Sequence, residues 1–114
     1  YVNLKWAYDF QDKTNEYRLN TALMQKMEEL GYIVYFDNDM PQEVRLDPCV
    51  EYVGDLIREK GSLSTELTFV LKDCKGNIVF KNSGISRLKK HNKSYMDALQ
   101  NIFKYSTIGR LKIN

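Results

Sequence analysis

The residues best suited to chemistry form a basic segment, residues 86–93, directly before the last predicted helix. The N-terminus of a helix carries partial positive charge, so cations placed there are unfavourable. A bound anion would relieve that conflict, because free backbone N–H groups and the cations would bind it together. The basic segment therefore predicts an anion- or partner-binding site, with an ordinary solvated loop as the alternative. The candidate residues are Ser86, Arg87, Lys89, Lys90, His91 and Lys93.

The two cysteines of the chain, Cys49 and Cys74, have a spacing that favours a structural role. In the hairpin predicted over residues 50–73, a register that sets Leu56 opposite Leu67 also sets Cys49 opposite Cys74. Directly opposed residues of an antiparallel pair have Cα atoms about 4.5–5.5 Å apart, which is within disulfide range. Two free thiols remain the alternative. A redox or metal site is not predicted, because the cysteines are far from a C-x-x-C pair and lack metal partners.

Catalytic motifs are not found along the chain. His91 is the single histidine, and no serine, cysteine or carboxylate pattern around it suggests a triad. Asp37 and Asp39 resemble the start of a calcium loop, but the central glycine and the terminal glutamate at fixed spacing are missing. We therefore predict a protein without catalytic residues, metal or cofactor.

The first half of the chain predicts a β-α-β unit. Residues 2–8 alternate between apolar and polar types, which is typical of a strand. Thr14 is the predicted cap of a helix whose apolar residues recur every three to four positions from Leu19 to Leu30, and Gly31 ends that helix. The β-prone run at residues 32–36 then predicts a strand that pairs in parallel through a right-handed crossover.

The second half of the chain predicts a loop and then antiparallel strands. Residues 37–48 contain both prolines and four acidic residues, and we predict a loop there. Residues 50–59 fit a strand better than a short helix, because the next five residues can then connect them to a strand at residues 65–73. A turn with Gly76 leads into a return strand that begins at residue 78.

The last predicted element is a helix with an apolar stripe from Tyr95 to Phe103, capped by Asn92 or Ser94. The tail, residues 105–114, fits either an edge strand or a segment lying on the core. The element order is thus β-α-β-β-β-α. It predicts an α+β fold, a two-layer sandwich in which two helices cover one face of a mixed sheet.

Composition indicates one globular domain over residues 1–114. A hydrophobic content of 43% and a charged content of 28% are ordinary for folded domains, which excludes disorder. The net charge of +2 is too small to indicate nucleic acid as the partner. The apolar runs are too short for a transmembrane helix. Because the chain begins at Tyr1 without an initiator methionine, we expect a processed or trimmed segment.

One hairpin and its surroundings resemble a known group of proteins. The strand Leu67–Asp73 ends in aspartate, a Gly76 turn follows, and the return strand Ile78–Phe80 is apolar, apolar, aromatic. A segment with serine and glycine at residues 83–86 and an amphipathic helix come next. This order resembles bacterial envelope lipoprotein domains: the TolB amino-terminal domain, the lipoprotein activators of penicillin-binding proteins and the curli secretion lipoprotein. Those families have no catalytic residues to carry over.

The resemblance and the cysteine pair together lead to one expected function. We expect a non-catalytic bacterial domain, periplasmic, outer-membrane-anchored or secreted, that binds a protein or cell-wall partner. Contact with a membrane is expected only through an anchor outside this segment. The alternative is a nucleic-acid or phosphate-binding module that uses the basic segment, whose binding would weaken steeply with salt.

Overall fold

A mixed β-sheet forms one layer of the protein, and a strand from the start of the chain pairs in parallel on both of its sides. The computed structural model describes residues 1–37, 39–60 and 63–104. The described sheet has the strand order β2-β1-β3-β4-β5; β1 runs parallel to β2 and β3, and the remaining pairs are antiparallel. The strands are β1 (Val2–Leu4), β2 (Val34–Phe36), β3 (Tyr52–Arg58), β4 (Thr65–Lys72) and β5 (Ile78–Ser86).

Two long helices form the second layer. The helices are α1 (Leu19–Glu29), a short α2 (Gln42–Leu46) and α3 (His91–Lys104). The core lies between the sheet and the pair α1 and α3, where Leu23, Phe69 and Ile102 are fully buried. The predicted α+β two-layer sandwich is confirmed. The described strands and α-helices follow the order β-α-β-α-β-β-β-α, so the predicted order β-α-β-β-β-α lacks one strand and the short helix α2. Among the described residues, no helix is long and apolar enough to cross a membrane.

Gly84 of β5 allows α3 to lie directly on the sheet. A Cβ atom at this position would be 2.5 Å from the backbone nitrogen of Ile102 and closer still to the carbonyl oxygen of Ala98. The side chain of Asn82 also donates a hydrogen bond to the carbonyl oxygen of Ile102, at 2.6 Å. The helix therefore contacts the strand through its backbone, and only glycine leaves enough space there.

The start of the chain leaves the sheet earlier than the sequence predicts. β1 ends at Leu4, and Trp6 is 37% exposed, with its ring stacked on Phe36 at 3.8 Å between centroids. The helix cap predicted at Thr14 is also wrong. Instead α1 begins after Arg18, whose backbone is left-handed and whose side chain makes no capping hydrogen bond.

Two predictions about helix boundaries are corrected by the structure. The predicted loop at residues 37–48 contains α2, which follows Pro41 and buries Val44. α3 begins at His91, so Asn92 and Ser94 lie in its first turn and do not precede it. Gly31, in contrast, follows α1 with a φ of +96°, as expected for a glycine that ends a helix. The tail at residues 105–114 lies outside the described residues.

The predicted strand at residues 50–59 is confirmed, but its register is shifted by two residues. Leu56 pairs with Phe69 of β4, not with Leu67. A shift of two keeps every side chain on the same face of the sheet, so Leu56, Leu67 and Phe69 are all buried. Continuing the observed register would place Cys49 opposite Gly76, so the register does not bring the two cysteines together.

Candidate functional site

The structure forms a disulfide between Cys49 and Cys74, with Cα atoms 4.8 Å apart. Cys49 lies in a 3₁₀ turn, Pro48–Val50, that precedes β3, and the Asp47 side chain accepts a hydrogen bond from the Cys49 N–H. This turn carries Cys49 out of the strand and over to the β4–β5 turn, where Cys74 lies. The disulfide is exposed at both cysteines, and it fits an extracytoplasmic location.

The β4–β5 turn that holds Cys74 is organised by one carboxylate. Asp73 Oδ1 accepts hydrogen bonds from the backbone N–H groups of Asn77 and Lys75, each at 2.9 Å. These hydrogen bonds hold the pKa of Asp73 below its ordinary value, and the bond from the Asn77 N–H has the largest effect. The ionised side chain therefore helps to fix the turn, because it bonds to the two amides more strongly than the protonated acid would.

The basic segment is exposed except at its first residue. Ser86 is buried, and its hydroxyl accepts a hydrogen bond from the Leu88 N–H at 3.2 Å. Among the described residues, the cations of this segment take part in no ion pair. The exposed members are Arg87, Lys89, Lys90, His91 and Lys93. The structure thus presents a cationic surface at the start of α3, with Ser86 inside the fold.

A stack of three aromatic rings lies next to the basic segment and was not predicted as a site. Tyr95 of α3 is stacked between Phe10, at 5.7 Å between centroids, and Tyr17, at 4.8 Å. His91 meets the edge of Tyr95, and the Arg58 guanidinium lies 5.9 Å from the centre of its ring. The stack joins three segments that are distant in the sequence. It therefore has no local sequence signal beyond the high number of aromatic residues.

The backbone that carries Tyr17 is held in an uncommon conformation. Asn15, Tyr17 and Arg18 have φ values of 54°, 59° and 61° in the left-handed region. This region costs a non-glycine residue about 1–2 kcal/mol, so other interactions must stabilise the segment. The Asn15 side chain supplies two, since its Nδ2 donates to Thr21 Oγ1 and its Oδ1 accepts from the Thr21 N–H.

Buried amide side chains complete this stabilisation. Gln11 Nε2 donates to Asn20 Oδ1 at 2.7 Å and to the Glu16 carbonyl oxygen at 3.1 Å. Gln11 Oε1 accepts from the Tyr8 N–H, and Asn20 Nδ2 donates to the Lys5 carbonyl oxygen. Gln11 and Asn20 are buried, so their bonds form where water does not compete. The network fixes the segment that ends in Tyr17 and Arg18.

A shallow groove of about 530 Å³ lies where the aromatic stack meets the basic segment. Three parts of the chain form the groove: the segment with left-handed backbone at residues 15–18, the end of the basic segment and the exposed side of α3. Its walls include Tyr17, Arg18, Leu88, Asn92, Lys93 and Met96. Aromatic, apolar and cationic side chains therefore meet in one concave surface, the combination typical of ligand sites.

Two further features concern groups that could do chemistry. Burial raises the pKa of Tyr8 well above its ordinary value, and its hydroxyl donates a hydrogen bond to the Gly54 carbonyl oxygen at 2.9 Å. Tyr8 therefore stays neutral and acts as a structural donor. Within the described ranges, no group of three or more histidine, cysteine, aspartate or glutamate side chains is arranged to hold a metal ion.

Comparison with known proteins finds a similar fold among solved structures. No family model matches the chain, and no curated protein matches it. A solved structure, a dodecameric variant of PelC from Paraburkholderia phytofirmans, is similar with a TM-score of 0.51 and 12% sequence identity. The match covers 89% of this chain and 84% of that one. At this identity the likeness concerns the fold, and it extends over nearly the whole chain.

Proposed function

We propose that this chain is a non-catalytic domain of the bacterial cell envelope, or a secreted domain, that works by binding a protein or cell-wall partner. The observation that carries the proposal is the disulfide between Cys49 and Cys74. Both cysteines are exposed, so cytosolic reductants would have access to the bond. Disulfides of this kind persist in oxidising compartments such as the periplasm.

The proposal is tested on protein taken from its native host. Periplasmic, membrane and cytosolic fractions are alkylated before and after reduction, and the intact mass of the chain is measured in each. We expect the protein outside the cytosol, with Cys49 and Cys74 alkylated only after reduction. Cytosolic protein with two reactive thiols would overturn the location. A robust hydrolase or transferase activity would overturn the non-catalytic assignment.

A second candidate function is self-assembly through the face of the sheet opposite the helices. That face exposes Val53, Ile57 and Ile85, which are 38%, 40% and 50% exposed. Asp55 and Lys81 lie among these side chains on β3 and β5, so the surface carries both signs of charge. Apolar side chains with both signs of charge suit contact between identical copies. The PelC structure, which is a dodecamer, supports this candidate.

Self-assembly is tested by sedimentation velocity over a wide range of protein concentrations. We expect oligomers in the wild-type chain and a monomer when Ile57 is replaced by glutamate, because a buried unpaired charge is costly at an interface. The control is Leu88→Glu, which changes an exposed apolar residue in the segment between β5 and α3 and should leave the oligomer intact. A wild-type chain that stays monomeric at the highest concentration would refute this candidate.

A further inference from the structure

The groove beside the aromatic stack brings together the groups that recognise a charged sugar. We propose that it binds an acidic oligosaccharide, with a sugar ring packed against Tyr17 and its carboxylate held by Arg18 and Lys93. This inference rests on the proposed function, because it names the class of cell-wall partner that the domain would bind. We infer this class of ligand from the apolar surface of the groove, its charges and its fixed backbone.

The apolar part of the groove suits a sugar ring. Tyr17 stacks on Tyr95 at 4.8 Å, and Tyr95 in turn contacts Phe10, so Tyr17 is the outer ring of the stack. Among the described residues Tyr17 has no second ring partner, and it lines the groove together with Leu88 and Met96. The C–H face of a pyranose is apolar and of similar size to a tyrosine ring, so the two surfaces pack well.

The charged part of the groove selects an anion. Arg18 and Lys93 both line the groove and are exposed, and in the described part of the chain neither takes part in an ion pair. The remaining cations of the basic segment lie within six residues before Lys93 in the sequence and add to the positive potential. Guanidinium and ammonium groups bind carboxylates through charge-assisted hydrogen bonds. A neutral sugar would leave these two cations without a partner.

The other polar side chains favour a ligand that is rich in hydroxyl groups. Asp97 lines the same groove as the two cations, and an ionised carboxylate only accepts hydrogen bonds, so it needs donors on the ligand. The same carboxylate accepts hydrogen bonds from sugar hydroxyls. Asn92 and Gln100 add amide groups that donate and accept. An acidic sugar supplies a partner for each kind of side chain: hydroxyls for the carboxylate and amides, a carboxylate for the cations and an apolar ring face for Tyr17.

The part of the groove formed by Tyr17 and Arg18 is ordered before any ligand binds. The buried network of Gln11 and Asn20, with Asn15, fixes the backbone that presents Tyr17 and Arg18 as adjacent groove residues. Since the protein has already stabilised this conformation, a ligand does not have to order it on binding. The strained backbone thus serves to place an aromatic ring and a cation together.

The test is a titration of the isotopically labelled chain with tetragalacturonate, followed by backbone NMR. We expect saturable shifts at Arg18, Asn92 and Lys93. Tyr17→Asn removes the ring while tolerating the left-handed backbone, and it should weaken binding by about tenfold. Tyr17→Phe should bind as the wild type does. Arg45→Gln, which removes an exposed cation of α2 that does not line the groove, is the control and should stay within about twofold.

Any one of the following outcomes would overturn the inference. The first four are the absence of saturable shifts, shifts confined to other surfaces, equal binding of the fully methyl-esterified tetramer, and unchanged affinity in Tyr17→Asn. Hexaglutamate or ATP binding more tightly at the same residues would also overturn it, and would point to an acidic peptide or a nucleotide. These failures are distinct from failure of the proposed function, which is decided by the thiol state and location of the native protein.

Discussion

Replacing Gly84 by alanine should be the most destabilising single methyl insertion among the described glycines. Its Cβ would lie 2.5 Å from the Ile102 backbone nitrogen and closer to the Ala98 carbonyl oxygen. Because both are helix backbone atoms, α3 must move by about 1 Å as a unit to restore van der Waals distances. Overpacking costs up to about 3 kcal/mol, which lowers the melting temperature of a chain of this length by about 12 °C.

Two other glycines provide controls for this prediction. At Gly54 the new methyl would meet Leu4 Cδ2 at 2.6 Å and the Phe69 ring at 3.0 Å, which are the ends of side chains and can adjust. At Gly76 it would meet nothing within 4 Å, so only the positive φ of 82° is unfavourable, at about 1 kcal/mol.

The free energy of unfolding of each variant is measured by urea titration under oxidising conditions. We expect the loss to be largest for Gly84→Ala, smaller for Gly54→Ala and smallest for Gly76→Ala. A Gly84→Ala protein within about 1 kcal/mol of the wild type would refute the reasoning. It would mean that α3 can leave β5 at little cost, and that the helix layer is not held by this contact.

Three further predictions concern the disulfide, the buried tyrosines and the turn carboxylate. Replacing Cys49 and Cys74 together by serine should cost about 3.5 kcal/mol, from the entropy of the closed loop, and an unchanged urea midpoint would contradict it. Tyr8→Phe should lose about 1–2 kcal/mol, because it leaves a buried carbonyl oxygen unpaired. Tyr35→Phe should lose no stability, because within the described residues the buried Tyr35 hydroxyl has no hydrogen-bond partner. Equal losses of stability in the two tyrosine variants, measured by calorimetry, would contradict this prediction. Asp73 has a pKa lower in the folded than in the unfolded chain, so its carboxylate stabilises the fold above about pH 4 and this is lost as the pH falls through the lowered pKa. The stability difference between wild type and Asp73→Asn should therefore shrink on acidification, and a pH-independent difference would count against it.

The alternating pattern at the start of the chain predicts a strand longer than the one that forms. Alternation continues to Tyr8, but β1 ends at Leu4 because distant side chains bind the next backbone groups. Asp37 accepts a hydrogen bond from the Trp6 N–H, and Asn20 donates one to the Lys5 carbonyl oxygen. These partners lie far along the chain, so a local pattern cannot reveal where the strand stops.

The pairing of β3 with β4 shows a second limit. Hydrophobic alternation specifies which face of a strand is buried, and registers that differ by two residues bury the same faces. The pattern therefore predicts the core position of Leu56 correctly and its partner incorrectly. The prediction that Cys49 bonds to Cys74 is confirmed. The strand register alone would not bring the two cysteines together, but the 3₁₀ turn before β3 places Cys49 next to Cys74.

The candidate groove depends on information that the sequence does not carry locally. The basic segment is evident from the sequence, and Lys93 is part of the groove. Tyr17 and Arg18 join it only because two successive non-glycine residues adopt the left-handed conformation, which propensities disfavour. Tyr95 was predicted as part of an amphipathic helix, but its neighbours in the stack come from tertiary packing.

The disulfide closes β3 and β4 into a covalent ring that begins at Cys49 and ends at Cys74. If a protease cuts the connection between these two strands, the two pieces stay joined. The cut chain would keep its interstrand pairing and would migrate as one species until it is reduced. The domain would thereby survive proteolytic damage at the connection between β3 and β4, and electrophoresis without reductant would not reveal the cut.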